Sequence, residues 1–495
     1  MRRLGAALLW VALLLRAPAA FGEPVLVRLL HVNDFHGFAE PEFDRRSGKL
    51  LGGLAHLAAR VRALRSEGPS LLLAAGDMIQ GNSWSDLTRG ASVIDAMNAL
   101  AFDAMVLGNH EFDFGPAVLK ARIEEARFPV LAANVDGVPG VKPYALLSAG
   151  GVRIAVIGVL TERTRIETHP DNVKGVDFFR PAGAVRRVLE ALRGKADVFV
   201  VLSHLGHGPD LKLAQDVAGI DVILGGHTHT RLDEPVRVGR TLICQAWEHG
   251  KVLGVVDLTV DSGKLLRAEG RLEEIRPTPE GGDPELRELV QRHVRAAEAT
   301  LGETLAVAGE DLDAEAGRRR ETALGDLVAD AVRRSARADI ALVNGGGIRA
   351  SLRKGPLRLK DLYDALPFEN YVVTLELTGS EVKKALEHGV SGVAEGEGRF
   401  PQVSGLRFTW SPSAPKGKRV RQVYVGESRL EPERRYRVAT NDFLAAGGDG
   451  YRVFAEARKP DEAPGRRVRE VVAESFREAK TLLPPPRGRI VEAGP

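Results

Sequence analysis

The chain has 495 residues, 44% hydrophobic and 27% charged, with a formal charge of +3 from 69 basic and 66 acidic side chains. This length exceeds one ordinary core and predicts two or three globular domains. Near-neutrality excludes a broad electrostatic footprint for nucleic acid or an anionic membrane surface, since loss of Arg2, Arg3 and Arg16 with a leader gives +3 − 3 = 0. Cys244 is the only cysteine, which excludes an intramolecular disulfide and binding of a metal by a thiolate pair.

Residues 1–22 carry the marks of a signal peptide. Arg2 and Arg3 form a charged start, Leu4 to Leu15 is an apolar run too short to span a bilayer, and Ala17-Pro18-Ala19 offers small residues for cleavage. The expected destination is the periplasm or the extracellular space, with no membrane attachment after signal removal. From residue 23 to about 276, strand-like apolar runs alternate with amphipathic helical ones. Gly52 to Arg65 places Leu54, Leu57, Ala58, Val61 and Leu64 at helical spacing, and Ala182 to Leu192 repeats the pattern. The alternation predicts a layered α/β domain.

Five of the strand-like runs end on hard-ligand residues. VLVRLLHVNDFH delivers Asp34 and His36, SLLLAAGD delivers Asp77, and DAMVLGNHEFD delivers Asn109 and His110. DVFVVLSH ends on His204, and DVILGGHTH on His227 and His229. In open α/β sheets, ligands bind beyond the carboxyl ends of the strands, so these side chains are expected on one rim. Two divalent ions about 3.5–4 Å apart activate water and polarise a phosphoryl oxygen. Asp77 is the natural bridging carboxylate. Asp34 and Asp77 contribute −2 and a hydroxide −1 against +4 from the ions, leaving charge that attracts a phosphate. Ligands of N and O without sulfur suit Zn, Mn, Co or Fe. His110, with Asp113 three residues on, forms the expected catalytic pair: an imidazole held in one tautomer that supplies a proton or positive charge at the leaving oxygen. His31, His56, His169, His249, His293 and His388 receive no role, and His207 is a candidate partner beside the His204 motif.

Residues 277–302 form the predicted seam: a Pro- and Gly-rich stretch, then a helix from Asp283 to Leu301 that either joins two domains or closes the first. Residues 303–495 change texture and predict an α+β domain, with helices at Leu324 to Arg337 and Ser380 to His388. The segments RKPDEAPGRR and LLPPPRGR read as solvated surface. Asn344-Gly345-Gly346-Gly347-Ile348-Arg349 follows a strand and would let the backbone approach a phosphate that Arg349 clamps, although a Gly-rich turn is a weak signal alone. By residue type alone, Phe368 and Phe443 read as core.

HVNDFHG, GDMIQGN, GNHEFDFG, LSHLGHG and GGHTHT together resemble the ordered motifs of the calcineurin-like metallophosphoesterases. NGGGIR, LPFEN and NDFLAAGGDGY resemble the C-terminal domain of the 5′-nucleotidase family, which includes the periplasmic UDP-sugar hydrolase/5′-nucleotidase and the animal ecto-5′-nucleotidase. The resemblance implies a βαβ metallophosphoesterase sandwich over residues 23–276, joined by the helix of 277–302 to an α+β substrate-binding domain over 303–495. It divides the ligands: Asp34, His36, Asp77 and His229 for one ion, and Asp77, Asn109, His204 and His227 for the other. It implies that Phe368 and Phe443 sandwich a nucleobase and that Asn344, Asn370 and Asp449 contact substrate. It also implies that Arg349, with Arg320 and then Arg318, binds phosphate, although Ala323 departs from the family pattern and leaves that register open. The activity implied is hydrolysis of nucleoside 5′-monophosphates by a hydroxide held between two ions (Zn, Mn or Co), with a nucleotide as partner and no nucleic acid. UDP-sugar or dinucleotide pyrophosphatase and 2′,3′-cyclic-nucleotide phosphodiesterase are alternatives within the class. A catalytically inactive exported binding protein is the alternative outside it. The complete ligand set and the His110–Asp113 pair argue against that last reading.

Overall fold

The structure is a computed structural model and describes residues 23–44, 47–460 and 465–493. The expected signal peptide, residues 1–22, lies outside the described residues. Among those described, no helix is long and apolar enough to cross a membrane.

Residues 25–274 build two six-stranded sheets laid face to face. One has the order Lys264–Glu274, Val252–Asp261, Val25–Val32, Ser70–Ala74, Ala104–Val106, Val130–Leu131. The other runs Val236–Val238, Thr241–Gln245, Val222–Gly225, Val198–His204, Val152–Leu160, Tyr144–Ala149. Side chains alternate across each strand, and the two faces do different work. Val27 and Leu29 join Val200, Leu202 and Leu224 in the core between the sheets. Leu30 and Val32 face the helices Leu54–Ser66 and Ala91–Ala99 on one outer side. Val201 and Ile223 face Pro181–Ala191 and His207–Asp216 on the other. The strands ending at Val32, Ala74 and Val106 are parallel, as are those ending at His204 and Gly225. Parallel pairing brings each set of ligand-bearing strand ends to one edge of its sheet.

The helix Pro284–Leu301, capped by the Asp283 side chain on Leu286 N, follows. It buries Leu286 and Val290 in the same core as Leu57 and Val61, so its first turns belong to the packing of the N-terminal half. Beyond it lie three smaller sheets. The central one has the order Val372–Thr378, Arg435–Asn441, Ile340–Asn344, Pro401–Ser404. The helix Ala323–Ser335 packs on it, with Thr322 capping Gly325 N.

LLPPPRGR is exposed at Leu483 and from Pro486 to Gly488, as expected of solvated surface, but its C-terminal end is anchored. Arg489 makes a two-pronged pair with Asp330 at 2.8 and 2.9 Å. Gly488 and Ile490 donate their backbone N–H groups to Glu321, and Ile490–Glu492 adds a strand to Leu406–Trp410. The anchoring carboxylates stand more than 150 residues upstream, so nothing in the tail's own composition announces them.

Candidate active site

The ligand-bearing strand ends meet in two clusters: Asp34, His36 and His229, and Asp77, His204 and His227. Short turns place them, and the turns are strained. Asp34, His36, Asp77, His227 and His229 all have positive φ, between 49° and 75°. Non-glycine residues persist there only when their surroundings over-determine them. Backbone bonds lace the turns together, from Asp34 N to Gly76 O and from His36 N to Asp77 O, both 3.0 Å. Asn33 ties in a third segment, donating to Trp247 O and accepting from Ala246 N. At Gly108 the approach is so close that a Cβ would lie 2.2 Å from Asp77 Oδ1 and 2.8 Å from His204 Nε2.

Three of the four imidazoles, all but His227, have one nitrogen fixed from behind and the other turned inward. His36 Nδ1 lies 2.8 Å from Gln80 O, and its Nε2 is 3.2 Å from His229 Nε2. His204 Nδ1 lies 2.7 Å from Ala75 O, and its buried Nε2 is 3.0 Å from Asp77 Oδ2 without an aligned hydrogen bond. His229 Nδ1 meets Glu248 Oε2 at 2.7 Å, leaving Nε2 3.4 Å from Asp34 Oδ1. His227 Nδ1 lies 3.1 Å from Asn109 Oδ1. Inward-facing nitrogens and carboxylates at these separations are what two oxygen- and nitrogen-ligated divalent ions require.

The electrostatics agree. Burial works against charge on Asp77, yet His204, His110 and His36 around it hold its carboxyl well below the usual range. Burial also opposes charge on His204, but Asp77 and Asp34 push it up to about 10. Asp77 therefore stays ionised beside positively charged partners, a setting in which cationic charge is stabilised.

His110 stands at the edge of the clusters. Its backbone N–H donates to Asp77 Oδ1 at 2.9 Å, and its Nδ1 is 2.6 Å from Asp113 Oδ2. Thr168 Oγ1 donates to the other oxygen of Asp113 at 2.7 Å. The imidazole is thereby fixed, with Nε2 4.0 Å from Asp77 Oδ2. Burial opposes its charge, but Asp77 and Asp113 raise its pKa.

The clusters open into a cleft of about 440 Å³ lined by both halves of the chain. Asp77, Asn109, His110, Asp113, His227 and His229 form one side. Arg318, Asn344, Arg349, Phe368, Asn370, Phe443 and Asp449 form the other. Phe368 lies 5.8 Å from His110, ring centre to ring centre. Burial, and after it the neighbouring Arg318, bring Arg349 down to about 10. Asp449, at φ 51°, accepts from Asn344 Nδ2 at 2.7 Å, and burial raises it to about 6. Asn344 also accepts from Asn441 Nδ2, so its amide is committed to holding the wall.

The expected order of Arg320 before Arg318 is not what the structure brings together. Arg318 lines the cleft and Arg320 does not. The turn at 316–320 carries Arg320 away, with its carbonyl accepting from Gln402 Nε2. His207 contributes its backbone N–H to Thr228 Oγ1, and its buried Nδ1 makes no hydrogen bond. His249, left without a role, stacks on Phe38 at 3.7 Å and pairs with Glu42 at 2.7 Å.

Sequence reasoning missed three carboxylates. Glu111 accepts from the backbone N–H of Asp77, Met78 and Gly108 at 2.6–2.9 Å, stapling two ligand turns together. Its place between His110 and Asp113 was the available signal. Glu248 and Glu167 stand behind His229 and His227, and no local pattern marks either.

Residues 27–231 match the calcineurin-like phosphoesterase family, and residues 297–456 match the 5′-nucleotidase C-terminal domain. A snake venom 5′-nucleotidase from Naja atra is 30% identical, covering 94% of this chain and 98% of its own. The chain belongs to the 5′-nucleotidase family. A trifunctional nucleotide phosphoesterase from Bacillus subtilis, YfkN, is 32% identical over 94% of this chain, which spans only 35% of that longer protein. A 5′-nucleotidase precursor from Thermus thermophilus has a TM-score of 0.88 and 36% identity, covering 94% of this chain and 99% of that one. As a 5′-nucleotidase family member, the protein is a two-part α/β phosphohydrolase, and its Asp and His clusters fit the divalent ions the family implies.

Proposed function

We propose that this protein hydrolyses nucleoside 5′-monophosphates to nucleoside and phosphate, using two divalent ions held by Asp34, His36, Asp77, Asn109, His204, His227 and His229. The observation that carries the reading is the shared cleft: one wall holds both His/Asp clusters, and the facing wall holds Phe368 and Phe443. Aromatic faces stack on any base, which favours nucleotides over small phosphate esters. The leader-like features of residues 1–22 support export.

When bound, the ions would supply Lewis acidity and a nucleophile from water near neutral pH. The protein's own groups do the rest. Arg349 and Arg318 meet the phosphate, and their mutual repulsion is relieved when an anion enters between them. His110, with Asp113 fixed on Nδ1, presents Nε2 to the cleft and places a proton on the departing ribose oxygen. Phe368 and Phe443 hold the base, and Asp449 holds the sugar. That remote binding energy sets the phosphate against the clusters.

The test is phosphate release from AMP by the purified chain loaded with Zn, Mn or Co, beside cyclic AMP isomers and UDP-glucose. AMP is expected to be the most efficient substrate. Preferred cleavage of UDP-glucose or a 2′,3′-cyclic nucleotide would move the assignment within the family. No turnover of any of them would favour a binding protein.

A further inference from the structure

The two histidines of GGHTH differ in what stands behind them. Glu248, behind His229, is itself held by Lys251 at 2.9 Å, and the whole arrangement lies in the N-terminal half. Behind His227 the arrangement crosses the molecule. His227 Nδ1 faces Asn109, so Nε2 points away from the cluster, and Glu167 Oε2 lies 3.7 Å from it. That oxygen is buried and accepts no hydrogen bond. The other oxygen of Glu167 accepts from Arg163 Nε at 2.7 Å. Arg163 Nη1 then reaches Glu397 Oε1 of the C-terminal half at 3.2 Å, and Glu397 pairs with Arg399. The helix Thr164–Glu167 packs on the turn Gly448–Gly450, which carries Asp449.

We propose that Glu167, Arg163 and Glu397 form a positioning relay across the two halves that sets His227, so that one ion of the pair is held at full strength only while the relay is intact. The inference rests on the two-metal reading of the clusters. Three observations support it. His227 and His229 are the more exposed ligands, with side chains 22% and 25% exposed against 0–1% for His204 and His36. His229 already has its carboxylate at hydrogen-bond distance, whereas Glu167 needs a further shift of about 0.5–1 Å to reach Nε2. Arg163 is a side-chain link from that carboxylate to the C-terminal half, bonded to Glu167 at one end and paired with Glu397 at the other. A carboxylate on the second nitrogen of a ligating histidine fixes the ring and raises its basicity, and losing one weakens metal binding about 10–100-fold.

The experiment follows metal loss from the zinc-loaded full chain to a chelator, with elemental analysis of what remains, for wild type, Glu167→Gln, Arg163→Gln, Glu397→Gln and the Arg163→Gln/Glu397→Gln pair. Thermal melting confirms that each is folded, and Glu397→Gln preserves shape. The expected result is that every variant loses one of its two ions about tenfold faster or more, the other leaving at the wild-type rate. The double variant should be no faster than Arg163→Gln alone, because the residues act in series. If Glu397→Gln keeps both ions like wild type, nothing passes across the seam and the relay is overturned, whether or not Glu167→Gln behaves differently. A wild type that binds fewer than two ions overturns the metal reading itself, and the relay with it.

Discussion

The two walls of the cleft are built to different standards. On the metal wall, Asp34, His36, Asp77 and His204 are at most 2% exposed, and turns at positive φ hold the first three. Backbone carbonyls or carboxylates fix every candidate ligand imidazole except His227 within hydrogen-bond reach. On the facing wall, Phe368, Asn370 and Phe443 are only half-buried, and Arg318 is exposed. An ion tolerates little error in ligand placement, so its site must exist before it arrives. A nucleoside has to enter and leave, so its wall keeps open faces and gains order from the ligand. The metal wall should therefore fail all at once, and the substrate wall by degrees.

The largest expected break is Asp77→Ala. Asp77 faces His204 at 3.0 Å and His36 and His110 at 4.0 Å, so both clusters lose their common carboxylate. Both ions and all turnover should be lost. Two tightly held ions by elemental analysis of the mutant would remove its bridging role.

Next comes His110→Ala. Its ring lies beside the clusters and in contact with Asp113, so the metals should stay while kcat falls about 10²–10⁴-fold. Wild-type turnover in that variant would take His110 out of the reaction.

On the other wall, Phe443→Ala and Phe368→Ala should each remove about 1–3 kcal/mol of stacking, or roughly one to two decades in kcat/KM for AMP. p-Nitrophenyl phosphate, which has no nucleoside to stack, should suffer less. An AMP to p-nitrophenyl phosphate ratio unchanged in both variants would mean that this wall does not read the nucleoside.

The smallest test separates two neighbouring arginines. Arg318→Ala should raise KM for AMP about 2–12-fold, as expected for net loss of about 0.5–1.5 kcal/mol of hydrogen bonding at an exposed side chain. Arg320→Ala should stay within about 0.5 kcal/mol of wild type, because that side chain lies outside the cleft. Equal losses in the two variants would return the register to the open state in which motif spacing leaves it.

Local sequence carried the α/β alternation, the strand-end Asp and His residues that meet in the two clusters, and the His110–Asp113 contact. Each is a local event: a strand of period two stops, the chain turns, and a hard ligand follows within a few residues. Helix positions were legible for the same reason, with Leu54–Ser66 and Ala323–Ser335 within two residues of expectation at each end. Tertiary structure decided what depends on distant partners. It brought Arg318 rather than Arg320 to the cleft, because the 316–320 turn folds against Gln402, about eighty residues away. It docked Arg489 on Asp330, and it placed Glu248 and Glu167 behind the two histidines of GGHTH. A carboxylate's role lies in which nitrogen it faces, and that direction exists only after two segments far apart in the chain have packed together.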